Sequence, residues 1–181
     1  MADARSGFDI AQLVADHHRA VYQYAYRLTG SVQDAEDLAQ QVFLIAQSKI
    51  GQLRNIDAAG SWLFAILRNC FLKDKQSRRP ALAGDLALNI DSIADDVPLD
   101  KMDRADGEQL QDALNRLPDA FRLVVVMFYF EECSYREIAD QLEMPIGTVM
   151  SRLARAKDQL RSILFEPEED ERKRRHDAAA K

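Results

Sequence analysis

Apolar residues recur along this chain at intervals of three and four, the period of a helix with one buried face. Ile10, Leu13, Val14, His17, Val21, Tyr24 and Leu28 share such a face and predict a first helix that stops at Thr29-Gly30. Ser31 then stands as the N-cap of a second helix, with Asp34 three residues on as the reciprocal acid of a capping box. Ala35, Leu38, Ala39, Val42, Phe43 and Ala46 form its apolar stripe, and its other face is acidic. The polar stretch Lys49 to Asp57, broken by Gly51, Asn55 and Asp57, separates it from a third helix over about Ala58 to Lys75. Trp62, Leu63, Ile66, Leu67, Cys70 and Phe71 supply the core face of that helix.

From Arg79-Pro80 to about Asp106 the period is lost, which reads as a linker. It returns with Leu110, Leu114 and Leu117, after which Pro118 opens a helix through LVVVMFYF. A run this apolar is also a candidate for a buried strand, but no partner strand is evident elsewhere, and a helix is expected. Ser134 and Glu137 make a capping box that opens the short helix YREIADQL; after a turn at Glu143-Met144, Pro145 begins a last helix to about Phe165. The predicted fold class is all-α. Two small helical domains, 8–79 and 107–165, are joined by an acidic flexible linker, 80–106, and followed by a mobile charged tail, 166–181.

Composition narrows the function. With 47% apolar and 30% charged residues the chain is neither disordered nor membrane-like. Stretches without a charge, such as Leu38 to Ser48 and Ala58 to Leu67, reach only about half a bilayer span, so no membrane insertion and a cytoplasmic location are expected. Cys70 and Cys133 are far apart, His17, His18 and His176 do not cluster, and no metal or other cofactor is expected. Cys133 reads as a small apolar residue rather than a redox sensor. GxxxxGK[ST], GxSxG and HExxH do not occur, which points away from the commonest enzymes. The net charge of −6 is uneven: Asp85 to Glu108 carries all of it, while Ser61 to Pro80 is +4 and Pro145 to Leu164 is +3. Two basic stripes therefore flank an acidic connector.

The segment SYREIADQLEMPIGTVMSRLARAKDQL carries the clearest chemistry. Ile138, Ala139 and Leu142, a tight turn, then Val149 and Leu153 is the spacing of a helix-turn-helix, with small Ala139 at the crossing. If Val149, Leu153, Ala156 and Leu160 face inward, Thr148, Ser151, Arg152, Arg155 and Lys157 fall on or near the outward face, where hydroxyls and cations meet phosphates and base edges. The plainer alternative is a basic surface on an ordinary three-helix domain.

The run LNRLPDAFRLVVVMFYFEECSYREIADQLEMPIGTVMSRLARAKDQL resembles the promoter-binding C-terminal domain of the extracytoplasmic-function (ECF) sigma factors. YRLTGSVQDAEDLAQQVFLIAQ and SWLFAILRNCFLKDKQSRR resemble their N-terminal domain. The resemblance implies a bacterial transcription initiation factor, not an enzyme, whose partners are core RNA polymerase, through its β′ clamp helices and β flap, and promoter DNA. Many members also have an anti-sigma partner. It implies that Asp34, Glu36, Asp37 and Gln41 dock the polymerase. The loop Lys49 to Gly60 would capture a flipped base of the −10 element, with Arg68, Asn69, Lys73, Lys75, Arg78 and Arg79 along the melted strand. Thr148, Met150, Ser151, Arg152, Arg155 and Lys157 would meet the −35 duplex. Trp62 reads as core more readily than as a stacking platform, and Asn69 bonds either the scaffold or DNA. Arg152 either reads a base or braces the preceding helix.

Two positions depart from the family pattern: Met150 where Lys or Arg is usual, and Lys73 where Asp or Asn is common. The rival readings are a conventional helix-turn-helix regulator and a helical adaptor whose basic stripes are solvated surface. A response regulator would need a βα receiver pattern before Asp106, and none is present.

Overall fold

The computed structural model describes residues 9–78 and 107–179, with side chains described except at 76–78 and 165–179. The described residues form seven α-helices and two single 3-10 turns, with no strand, in two compact units. The connector 80–106 lies outside them, as does Arg79.

In the first unit, α1 (Ile10–Thr29) opens on Asp9, whose side chain accepts a hydrogen bond from the N–H of Ala11 at 3.0 Å. It ends at Gly30, whose φ of 70° is left-handed and whose N–H closes on the Tyr26 carbonyl at 2.8 Å. A side chain at Gly30 would carry the strain that glycine avoids. α2 (Val32–Lys49) starts at Ser31, whose hydroxyl accepts from the Asp34 N–H at 3.3 Å. Only this half of the expected capping box forms. All six residues of the predicted α2 stripe are buried. α3 (Ala59–Arg78) packs against both α1 and α2. Because two helices cover it, its buried arc is wide: Leu63, Ile66, Leu67, Cys70 and Phe71 lie inside, and Phe64 stacks on Tyr24 with ring centroids 4.9 Å apart. Each large aliphatic side chain so buried is worth about 1.5–3 kcal/mol.

The second unit begins with α4 (Gly107–Arg116) and α5 (Asp119–Phe130), so LVVVMFYF is helical. Arg122, nearly buried, donates to the carbonyls of Asn115 at 3.0 Å and Leu117 at 3.1 Å, capping the C-terminal end of α4. Burial lowers the Arg122 pKa and neighbouring Asp119, 3.9 Å away, raises it. The short α6 (Tyr135–Gln141) carries the full capping box: the Ser134 N–H and hydroxyl each donate to Glu137 at 2.8 Å, and Ser134 accepts from the Glu137 N–H at 3.3 Å. α6 ends on Glu143 at φ 51°, and the Met144 N–H bonds the Ala139 carbonyl at 3.0 Å. That bond makes the turn tight although no glycine is present.

The last helix, α7 (Ile146–Ala179), runs beyond the predicted end near Phe165, so 166–179 continue the helix rather than forming a separate tail.

Candidate functional site

Three surfaces collect the predicted site residues. On α2, burying Ala35, Leu38, Ala39, Val42, Phe43 and Ala46 turns the opposite side to solvent, and Asp34, Glu36, Asp37 and Gln41 are all exposed. At about 100° of rotation per residue, Asp37 and Gln41 lie on the outward line, Asp34 on one edge and Glu36 on the other. The line also holds Leu44, which is 67% exposed, a large apolar side chain left in water one turn beyond Gln41. Acids followed along the same face by an uncovered leucine fit a basic helix that also offers apolar contact. Sequence reading missed Leu44; its signal is its place three residues after Gln41 and seven after Asp37.

The second surface joins the α2–α3 connection to the outer face of α3. Leu53 is buried with Leu13 and Ala59, and Ile10, Ile50 and Trp62 pack against that cluster. Trp62 is thus part of the core. The anchor divides the connection into two 3-10 turns, Ile50–Gln52 and Ile56–Ala58. Between them, Asn55 accepts from the Asp57 N–H at 3.0 Å. Arg54, Asn55, Ile56 and Asp57 are left exposed on a braced loop. Gly60 opens α3 beside the His17 ring, where a Cβ would lie 3.8 Å from it.

Along α3, Asn69 and Lys73 are exposed one turn apart. Arg68 departs from expectation: it is 5% exposed, on the flank shared with Phe64, and belongs to the interior rather than to the cationic strip. The wide buried arc of α3 is the cause. Lys75 is half-buried, its ammonium 5.3 Å from the centre of the Phe71 ring. Arg78 ends the helix, with its side chain among those not described. Cys70 lies inside; burial pushes its thiol pKa up against the lowering effect of Lys73 and then Lys49, which keeps it protonated and inert.

The third surface is the pair α6 and α7. Ile138 and Ala139 face Val149, Leu153, Ala156 and Leu160 in the core, as the helix-turn-helix spacing requires. Thr148 and Arg155 lie two turns apart on one flank of α7, both partly exposed. Ser151 lies between them, its hydroxyl donating to the Thr148 carbonyl at 3.0 Å. Arg152 turns back over the α6–α7 turn, one guanidinium nitrogen 3.6 Å from the Met144 sulfur. Lys157 leans on α5, 5.8 Å from the centre of the Phe128 ring. Met150 is 41% exposed on the flank away from Arg155 and Thr148. Cys133 accepts a long contact, 3.9 Å, from the Gln141 amide. Among the described residues no cluster of three or more metal-binding side chains occurs, and no helix is long and apolar enough to cross a membrane.

Comparison with known proteins gives the two units the same order. Residues 13–80 match the family described as Sigma-70 region 2, and residues 107–160 match Sigma-70, region 4. The ECF RNA polymerase sigma factor SigW of Bacillus subtilis is 32% identical over 164 residues, spanning 85% of this chain and 88% of that protein. The ECF RNA polymerase sigma factor SigE of Mycolicibacterium smegmatis is 36% identical over 156 residues, 84% of this chain and 60% of that one. Among solved structures, the sigma factor RpoE in complex with the anti-sigma factor NepR, from Bartonella quintana, is similar. Its TM-score is 0.63 and its identity 27%, over 86% of this chain and 96% of that one. An acid-faced α2, a braced loop before α3 and a basic helix-turn-helix, in the order of region 2 and region 4 and with relatives matched over most of the chain, make this protein a member of the ECF RNA polymerase sigma factors.

Proposed function

We propose that the chain acts as a cytoplasmic, non-enzymatic initiation factor that binds core RNA polymerase and directs it to promoters. The observation that carries this reading is the α2 face, where Asp34, Asp37 and Gln41 run along the outward side and lead to an exposed Leu44. A solvated amphipathic helix has no use for that leucine, whereas a docking helix does. Glu36 serves at the edge of the same contact, and α2 meets the β′ clamp helices. The second unit takes the β flap.

The braced loop at Arg54 to Asp57, with Asn69 and Lys73 beyond it, is suited to hold an extruded base and the melted −10 strand. Extrusion costs a few kcal/mol, and a loop already fixed by Leu53 and Asn55 loses less entropy on binding. Lys75 adds a cation on α3, Arg78 and Arg79 follow it in the sequence, and Arg68 holds the scaffold of the helix. The outer side of α7, with Thr148, Met150, Ser151 and Arg155, meets the −35 duplex. Arg152 and Lys157 brace the helix-turn-helix and face the flanking phosphates. An anti-sigma factor that covers these surfaces fits the same reading; the similar sigma factor RpoE was solved in complex with the anti-sigma factor NepR.

A conventional regulator leaves the acid-faced first unit without a task, and the adaptor reading leaves the helix-turn-helix without one. The test is transcription from a random-promoter library by core bacterial polymerase with and without the full chain. Enrichment of paired −35 and −10 sequences at a fixed spacing is expected only with the chain. Transcripts indistinguishable from those of core alone would refute the proposal.

A further inference from the structure

At the start of α7 two large apolar side chains stand in water. Ile146 is 48% exposed and Met150 41%, while the buried face of the same helix is already filled by Val149, Leu153, Ala156 and Leu160. They are four residues apart, so they sit one above the other with Cβ atoms about 5–6 Å apart. Gly147 beside them is exposed, and a Cβ added there would meet nothing within 4 Å, so the surface next to the pair is bare backbone. Thr148 and Arg155, partly exposed, stand on the opposite flank of the outward face, with Ser151 between them and the pair.

We propose that Ile146 and Met150 form an apolar reader of thymine 5-methyl groups in the major groove of the −35 duplex. This rests on the reading of α7 as the −35-binding helix. In a helix-turn-helix the first residues of the second helix reach the base edges, and both side chains lie in the first turn and a half of α7. Among the four bases only thymine offers a methyl group in the major groove. A patch of two side chains is far below the area a stable protein interface buries, and Pro145 to Leu164 is +3, which suits a polyanion. The spacing fixes the reach: four residues rise about 6 Å along the helix, and successive bases on one strand about 3.4 Å. The two side chains therefore meet thymines no more than two steps apart. Met150 reads by shape at a position where a long cation would read by charge.

The experiment uses holoenzyme assembled from core bacterial polymerase and the full chain, on the −35 element enriched from a random library. Each thymine of that element is replaced in turn by deoxyuridine, which keeps every base-pairing atom and removes only the methyl. Initiation is expected to fall about fourfold at one or two positions within two steps of each other, the transfer value of one buried methyl. M150A is expected to abolish the sensitivity at one of them and I146A at the other. Both side chains are exposed, so neither variant threatens the fold. A selected element without thymine, deoxyuridine tolerated at every position, or losses unchanged in both variants would each overturn the inference. A scrambled −35 element separates the two levels. If scrambling leaves initiation unchanged, the −35 reading of α7 itself fails; if scrambling abolishes initiation while deoxyuridine is tolerated, only methyl reading fails.

Discussion

Replacing Leu44 by alanine separates a docking face from a merely acidic helix surface. Leu44 is 67% exposed in the free chain, so a partner that covers it removes about two thirds of its surface from water. Full burial of a leucine is worth about 1.5–3 kcal/mol, and the uncovered part accordingly about 1–2 kcal/mol. That corresponds to a rise in Kd of about fivefold to thirtyfold for core polymerase. The fold should not notice, because an exposed side chain with no structural partner costs less than about 0.5 kcal/mol when truncated. D37K on the same outward line supplies the electrostatic comparison. A fluorescently labelled chain is titrated with core polymerase at 0.1 M and 0.5 M salt. The L44A penalty should be the same at both, since burial is not screened, whereas the D37K penalty should shrink as the screening length shortens. E36K, at the far edge of the helix, should weaken binding less than D37K. Unchanged affinity for both L44A and D37K, with melting temperatures equal to that of the parent chain, would refute the docking face.

R122M should lower the stability of the second unit by about 2–3 kcal/mol, because two carbonyls at the end of α4 lose their buried donor; calorimetry of the full chain reads this as a drop in one transition only. The hydrogen bonds from the Ser134 N–H and hydroxyl hold the Glu137 carboxyl below its ordinary value of 4.5, so it stabilises α6 above that pH and the stabilisation is lost as pH falls through the lowered native value. E137Q, which removes the titrating carboxyl, should abolish that acid-side dependence, measured by hydrogen exchange at α6; an unchanged pH profile would contradict the cap. R155A, scored across a library of −35 variants, should lose discrimination at one position if Arg155 pairs with a guanine, and uniform loss would make it a phosphate clamp instead.

Much of this was legible in the sequence because the helices are amphipathic and punctuated. The six-residue stripe of α2 is buried as its period requires, and Ser134 with Glu137 forms the box its spacing announces. The departures arise where tertiary contact overrides local pattern. Arg68 reads as one cation of a surface strip, yet α3 is covered from two sides and draws it into the flank that Phe64 occupies one turn earlier. Leu44 and Ile146 escape notice for the opposite reason. A period identifies what a helix buries within its own domain, but an apolar residue held out for a partner looks like noise in the pattern. The end of α7 predicted near Phe165 followed the apolar signal alone, and the helix runs on past it.

The most direct measurement of the central claim is permanganate footprinting of thymines in the −10 region of a promoter selected by the chain, with core polymerase, the chain, or both. Permanganate attacks only unstacked thymines, so it reports the melted strand that the loop before α3 is proposed to hold. Reactivity is expected when core and chain are present together and in neither component alone, and it should fall when Asn69 and Lys73 are both replaced by alanine. Reactivity with core alone, or a fully paired −10 region in the presence of both, would contradict the assignment of this chain as the factor that opens the promoter.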